Sequence, residues 1–113
     1  SSNKINFNLW TATGASVVSV SGSVTLSTGT WYFVTAVADG TNCLLYLNGA
    51  RDGNAGTVSG TVTNGTAGVY IGYDNSGAAR YWNGQIDEIC IYNQVLNHSR
   101  IIRLYNYGRK KFG

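Results

Sequence analysis

Apolar and polar side chains alternate over residues 4–10, with Ile5, Phe7 and Leu9 on one face and Asn6, Asn8 and Trp10 on the other. A period of two marks a half-buried strand. Residues 17–20 and 24–26 flank a Ser21-Gly22 turn and predict a short hairpin. Residues 31–38 are rich in aromatic and β-branched side chains and predict a strand. Asp39-Gly40-Thr41-Asn42 then returns the chain into a strand over residues 43–48, and Asn48-Gly49 is a turn signal. Residues 50–66 are Gly-rich, with a weak strand over 57–62 and a turn at Asn64-Gly65. Residues 69–73 predict a strand, 74–80 a small polar loop, and 85–92 the last strand. In that last strand Ile86, Cys90 and Tyr92 share one face and Ile89 and Ile91 the other, so both faces ask for cover.

A helix closes the pattern. Asn97 is placed to cap it, Ile101, Leu104 and Tyr105 follow at helical spacing, and Gly108 is the expected stop. Many strands and one terminal helix predict an all-β sandwich with the helix laid on it. The expected division is residues 1–108 as the domain and 109–113 as a basic tail or linker.

Composition sharpens this picture. The 113 residues suffice for one core. Charged residues are only 12%, and Ser, Thr, Asn and Gly fill the polar positions, which suits an extracellular or virion-surface β domain. The net charge is +3, and Arg109, Lys110 and Lys111 supply much of it. No basic stripe with interleaved aromatics stands out elsewhere, which argues against nucleic acid. No apolar run approaches a membrane span. Met is absent, so the expectation is a processed chain or part of a longer protein. Cys43 and Cys90 lack metal-ligand spacing and are expected as two buried thiols, although an oxidising compartment permits a bridge.

Three motifs carry a resemblance. Trp31 opens one strand and Tyr46-Leu47-Asn48-Gly49 closes the next, like an aromatic strand followed by a "YVDG" turn. Asn83-Gly84-Gln85-Ile86-Asp87-Glu88 resembles a "GxIDE" strand. Val95-Leu96 with the helix to Leu104-Tyr105 resembles an "LS…EI…LY" closing element, with His98-Ser99-Arg100 where an acid is usual. In this order the motifs resemble the C-terminal part of laminin G-like and pentraxin-type domains of the concanavalin A-like lectin/glucanase superfamily. The resemblance implies an antiparallel jelly-roll sandwich whose N-terminal strands are not among these residues. The expectation is therefore a fragment whose sheet edge a missing N-terminal segment completes, a shortened sandwich, or a subunit whose edge a neighbouring subunit completes.

The function implied is recognition. Glycoside hydrolysis needs two carboxylates about 5 to 9.5 Å apart. This chain has one Glu, Glu88, beside Asp87, and Asp39, Asp52 and Asp74 each fall in an expected turn or loop. No catalytic pair is legible, and a Cys90–His98 dyad has nothing to bring it together. Tyr73, Asp74, Asn75, Arg80 and Tyr81 form the candidate glycan set, an aromatic platform with polar neighbours. Trp31 and Trp82 are expected in the core. The pentraxin-like resemblance implies a calcium rim at Asp74, Asn75 and Asn3, although Ser2 stands where an acid is usual. The expected partner is a glycan or a surface protein. The competing expectation is an assembly module on a virion, tail fibre or surface complex.

Overall fold

The computed structural model describes residues 3–66, 68–75, 77–78 and 80–112, the last two of these as backbone only. Its strands are β1 (Asn6–Trp10), β2 (Ser16–Ser21), β3 (Val34–Ala38), β4 (Asn42–Leu47), β5 (Ala50–Arg51), β6 (Gly56–Thr57), β7 (Tyr73–Asp74) and β8 (Arg80–Tyr81). One helix follows, α1 (His98–Phe112). All strand pairings are antiparallel, in three sheets: β1-β2, β3-β4-β5 with β6 also on β4, and β7-β8.

β4 is the centre of the molecule. Its sequence Asn-Cys-Leu-Leu-Tyr-Leu is apolar on both faces, and both are covered. Cys43 and Leu45 pack with Val18 and Val20, flanked by Phe7 and Leu9 from β1 and by Ile5 just before it. On the opposite face Tyr46 packs with Val37 and Ile101, flanked by Phe33, Leu44 and Leu96. The core is therefore layered: the β1–β2 hairpin, the central sheet, then α1. Leu45 and Ile101 are 1% and 0% exposed. Burying each contributes about 1.5–3 kcal/mol.

Local chemistry explains the joints. Asp39 Oδ1 accepts from the N–H of Thr41 and Asn42, at 2.9 and 2.7 Å, and shapes the β3–β4 turn. Asn48 and Gly49 have φ of 53° and 80°, the pair of positive values a type I′ hairpin requires, so Asn-Gly joins β4 to β5. Asn48 Oδ1 also accepts from Phe33 N–H at 2.9 Å. At the helix start Asn97 Oδ1 accepts from Arg100 N–H at 2.9 Å, which is N-cap geometry. Leu96 and Ile101 flank that cap in the same cluster, as a hydrophobic staple does.

Gly56 is a fitted position. A Cβ there would lie 2.5 Å from Val20 Cγ2 and 2.8 Å from Val18 Cγ2. Gly56→Ala must push β6 off the β2 layer, and it is expected to cost about 1–3 kcal/mol in a denaturant titration. A wild-type midpoint would show that the layers are not in contact there.

Several expectations are corrected. β2 pairs with β1 rather than with residues 24–26, whose Leu26 N–H instead donates to Asn3 O at 2.7 Å. β7 retains only the end of the expected strand, because Gly72 turns at φ 76° and leaves Val69 and Ile71 exposed. Residues 85–92 form no strand. Glu88 takes φ 56°, and its N–H is held by Asp87 Oδ1 at 2.7 Å, which breaks the extended run. Cys90 is consequently exposed, while Cys43 is buried; both are free thiols. Trp31 and Trp82 are 43% and 59% exposed, not core. Gly108 keeps a right-handed backbone, and α1 runs through it to Phe112.

Candidate functional site

The β7–β8 hairpin gathers the expected glycan residues. Tyr73 pairs with Tyr81 and Asp74 with Arg80 across the ladder. Trp82 N–H extends the pairing by donating to Gly72 O at 2.8 Å. Directly paired residues share a face and successive ones alternate. The two tyrosines thus lie on one face, and the carboxylate and guanidinium on the other. This divides a set that reads as a single cluster in the sequence.

The tyrosine face is an aromatic step. The Tyr73 and Tyr81 rings are 4.9 Å apart and tilted 32°, and Tyr70 meets Tyr73 edge-on at 5.7 Å. Tyr81 is 76% exposed. Tyr73 Oη donates to Asn75 Oδ1 at 3.4 Å, so an amide stands at the platform's rim. On the other face Arg80 Nε donates to Asp74 Oδ2 at 2.9 Å, and a second guanidinium nitrogen joins it. This exposed ion pair adds little stability; the backbone ladder sets the hairpin's register. Trp82 and Ile86 close over Gly72. With Gly72 and the paired strands β7 and β8 they line a shallow, open concavity of about 290 Å³, which does not include Tyr70 or Asn75. Tyr70, Trp82 and Ile86 were not in the sequence-derived set. Tyr70 and Ile86 sat in expected strands, and Trp82 carried an expected core role.

The calcium candidates are a poor fit as placed. Asp74 is the one carboxylate of the set, and Arg80 already occupies its Oδ2. Asn3 lies before β1, where its carbonyl serves Leu26 N–H. Calcium takes six to eight oxygens, usually with several carboxylates. Among the described residues no three His, Cys, Asp or Glu gather as a metal group.

Cys90, the thiol of the candidate dyad, is exposed, whereas Cys43 and His98 have defined surroundings. Burial, with Asp39 nearby, pushes the Cys43 thiol above its ordinary value. His98 stacks on Tyr46 at 5.2 Å, and its Nε2 hydrogen-bonds Gly49 O at 2.7 Å. That imidazole fastens α1 to the β4–β5 turn.

Asp52, expected as an ordinary turn or loop residue, is instead buried. It is 2% exposed. Its Oδ1 accepts from Ser23 N–H, Ser23 Oγ–H and Val24 N–H at 2.8, 2.9 and 3.1 Å. Oδ2 is buried against Gly22 without a hydrogen-bond partner. Burial pushes this carboxyl up, but the Ser23 and Val24 donors and the Lys4 charge outweigh it and hold it below the usual carboxylate range. Asp52 thereby ties the chain after β5 to the chain after β2.

The comparisons with known proteins agree with this architecture. A family described as the concanavalin A-like lectin/glucanases superfamily, in its laminin G-like branch, matches residues 1–102. The chain belongs to that family, whose laminin G-like domains are generally non-catalytic binding modules. Among solved structures, the chain resembles part of an S-layer domain-containing protein from Clostridium thermocellum ATCC 27405, with a TM-score of 0.62 at 18% identity. The likeness covers 93% of this chain and 64% of that one, so the chain spans under two thirds of that structure. No curated protein matches. Among the described residues no helix is long and apolar enough to cross a membrane.

Proposed function

We propose that this domain is a non-catalytic module that binds carbohydrate on the Tyr73–Tyr81 step, within a larger protein at a cell surface. The observation that carries the reading is the paired tyrosine platform, with Tyr81 exposed, Tyr73 half-buried beneath it and Asn75 at its rim. A sugar ring stacks its C–H face on such an aromatic surface, while an amide and hydroxyls orient it. The surface setting is supported by the S-layer domain-containing neighbour and by the uncharged polar composition.

Tyr81→Ala tests it. Tyr81 contributes little to the core, so the variant is expected to melt within a degree or two of wild type. Glycan binding on an array or by calorimetry is expected to fall about tenfold or more, the ~1.4 kcal/mol that losing a stacking face entails. Unchanged glycan binding removes the platform from the account.

A second reading has its own observation. Trp82, Ile86, Ile89, Ile91, Tyr92 and Val95 are all exposed along one segment. So much apolar surface in one stretch suits an assembly contact with another chain or a further segment of the same protein. Sedimentation of the isolated domain separates this reading: concentration-dependent self-association favours assembly, and a monomer that binds glycan favours the lectin reading.

A further inference from the structure

We infer that the outward face of α1 is a second binding surface, and that its partner is a linear polysaccharide bearing carboxylates. This goes beyond the hairpin reading and does not depend on it. The starting observation is the charge of the helix. α1 contains Arg100, Arg103, Arg109, Lys110 and Lys111 and no Asp or Glu.

The helix's own physics does not account for this. Cations near a helix C-terminus complement the macrodipole, which covers Arg109 and Lys110. Arg100 lies in the first turn, where that dipole disfavours it, and Arg103 lies a turn further on, beyond the reach of either end. No acid four residues away stabilises them along the helix. Neither makes an ion pair with a carboxylate among the described residues, and nor does Lys110.

Geometry lines these groups up. The inward face is set by Ile101, with Leu104 and Tyr105 partly covered beside it. At 100° per residue, Arg103 and Lys110 fall opposite Ile101, and Arg100 and Tyr107 on the adjoining flank, so that all four lie within about 80° of one another, and all four are exposed. The stripe is about 15 Å long at 1.5 Å per residue. Three cations in a row match a repeating anion. Guanidinium forks pair with carboxylates through two parallel hydrogen bonds. Tyr107, 72% exposed between Arg103 and Lys110, gives a sugar ring a face to stack on.

The other polyanions fit less well. A bilayer surface needs an apolar helix face to insert, and that face is spent in the core. Nucleic acid calls for a wider basic footprint. Of the remaining cations, Arg80 is held by Asp74 and Arg51 lies over the Tyr46 ring.

The test is retention of the domain on immobilised polygalacturonate at low salt. Wild type is expected to bind, and the affinity is expected to fall with salt at a log–log slope of roughly −2, the value for three released counterions. Arg100→Gln/Arg103→Gln/Lys110→Gln keeps good helix formers and is expected to lose tenfold or more, with an unchanged circular dichroism spectrum. Tyr107→Ser is expected to lose severalfold at an unchanged salt slope. No retention of wild type, equal retention of the triple variant, or tighter binding to duplex DNA or to phosphatidylserine vesicles would each overturn the inference. Should the triple variant misfold, the wild-type salt slope still decides: a slope near zero rejects the stripe.

Discussion

Asp52→Ala is expected to destabilise the domain by about 3 kcal/mol, which lowers Tm by roughly 12 °C at this chain length. The residue touches no candidate ligand surface, so the effect is structural. Its Oδ1 closes three donors, two of them backbone amides of the segment leaving β2. Alanine leaves those amides without their acceptor and opens a void against Gly22. Asp52→Asn separates charge from hydrogen bonding. The amide oxygen is able to keep all three contacts while its nitrogen takes the place of the partnerless Oδ2, so the expected loss is about 1 kcal/mol.

The same residue sets the acid limb of stability. Its folded carboxyl sits below the ordinary value of about 3.9, so the folded state favours the ionised form. That contribution is complete above the unfolded pKa and is lost as pH falls through the folded one. Asp39 acts in the same sense, because the amides of Asn42 and Thr41 lower its carboxyl too. Stability is expected to fall below about pH 4, and less steeply in Asp52→Asn. An identical acid limb in that variant would show that Asp52 is not the group being titrated.

Ile101→Ala is expected to cost about 3 kcal/mol, within the range for deleting a buried isoleucine side chain. Ile101 is fully buried and joins Val37 and Tyr46 to Leu96, the residue before the cap. The loss should fall unevenly. The β1–β2 layer packs on the other face of β4 and does not touch this site. Hydrogen exchange is therefore expected to speed up throughout α1 while the amides of β2 and β4 stay protected. Uniform loss of protection would mean that helix and sheet open as one unit.

The elements legible in the sequence were those whose information is local. β1 follows from its period-two pattern, β3 from its aromatic and β-branched run, β4 from the Asp39–Asn42 return before it, and the β4–β5 turn from Asn48-Gly49. Asn97 marks the helix cap with its own side chain. Illegible elements depended on distant partners. Residues 17–20 read as a strand, but nothing nearby shows that they pair with β1 rather than with residues 24–26. Residues 85–92 alternate like a strand, yet an extended run needs a neighbour to pair with, and Glu88 turns left-handed instead. Gly108 resembles a helix stop, but a stop also needs a left-handed backbone there, which composition does not report. The hairpin site was legible as a cluster because its residues are close in sequence. Its division into a tyrosine face and an ion-pair face required the register. Asp52 gave no signal, since its donors lie 28 and 29 residues away.

The central claim is that sugar docks on the Tyr73–Tyr81 step. Amide chemical-shift mapping of the ¹⁵N-labelled domain during titration with oligosaccharides tests it most directly. The account predicts saturable shifts concentrated at Tyr70, Tyr73, Asn75 and Tyr81, with the amides of β2 and β4 unmoved. Shifts confined to another surface, or none at millimolar sugar, would contradict it.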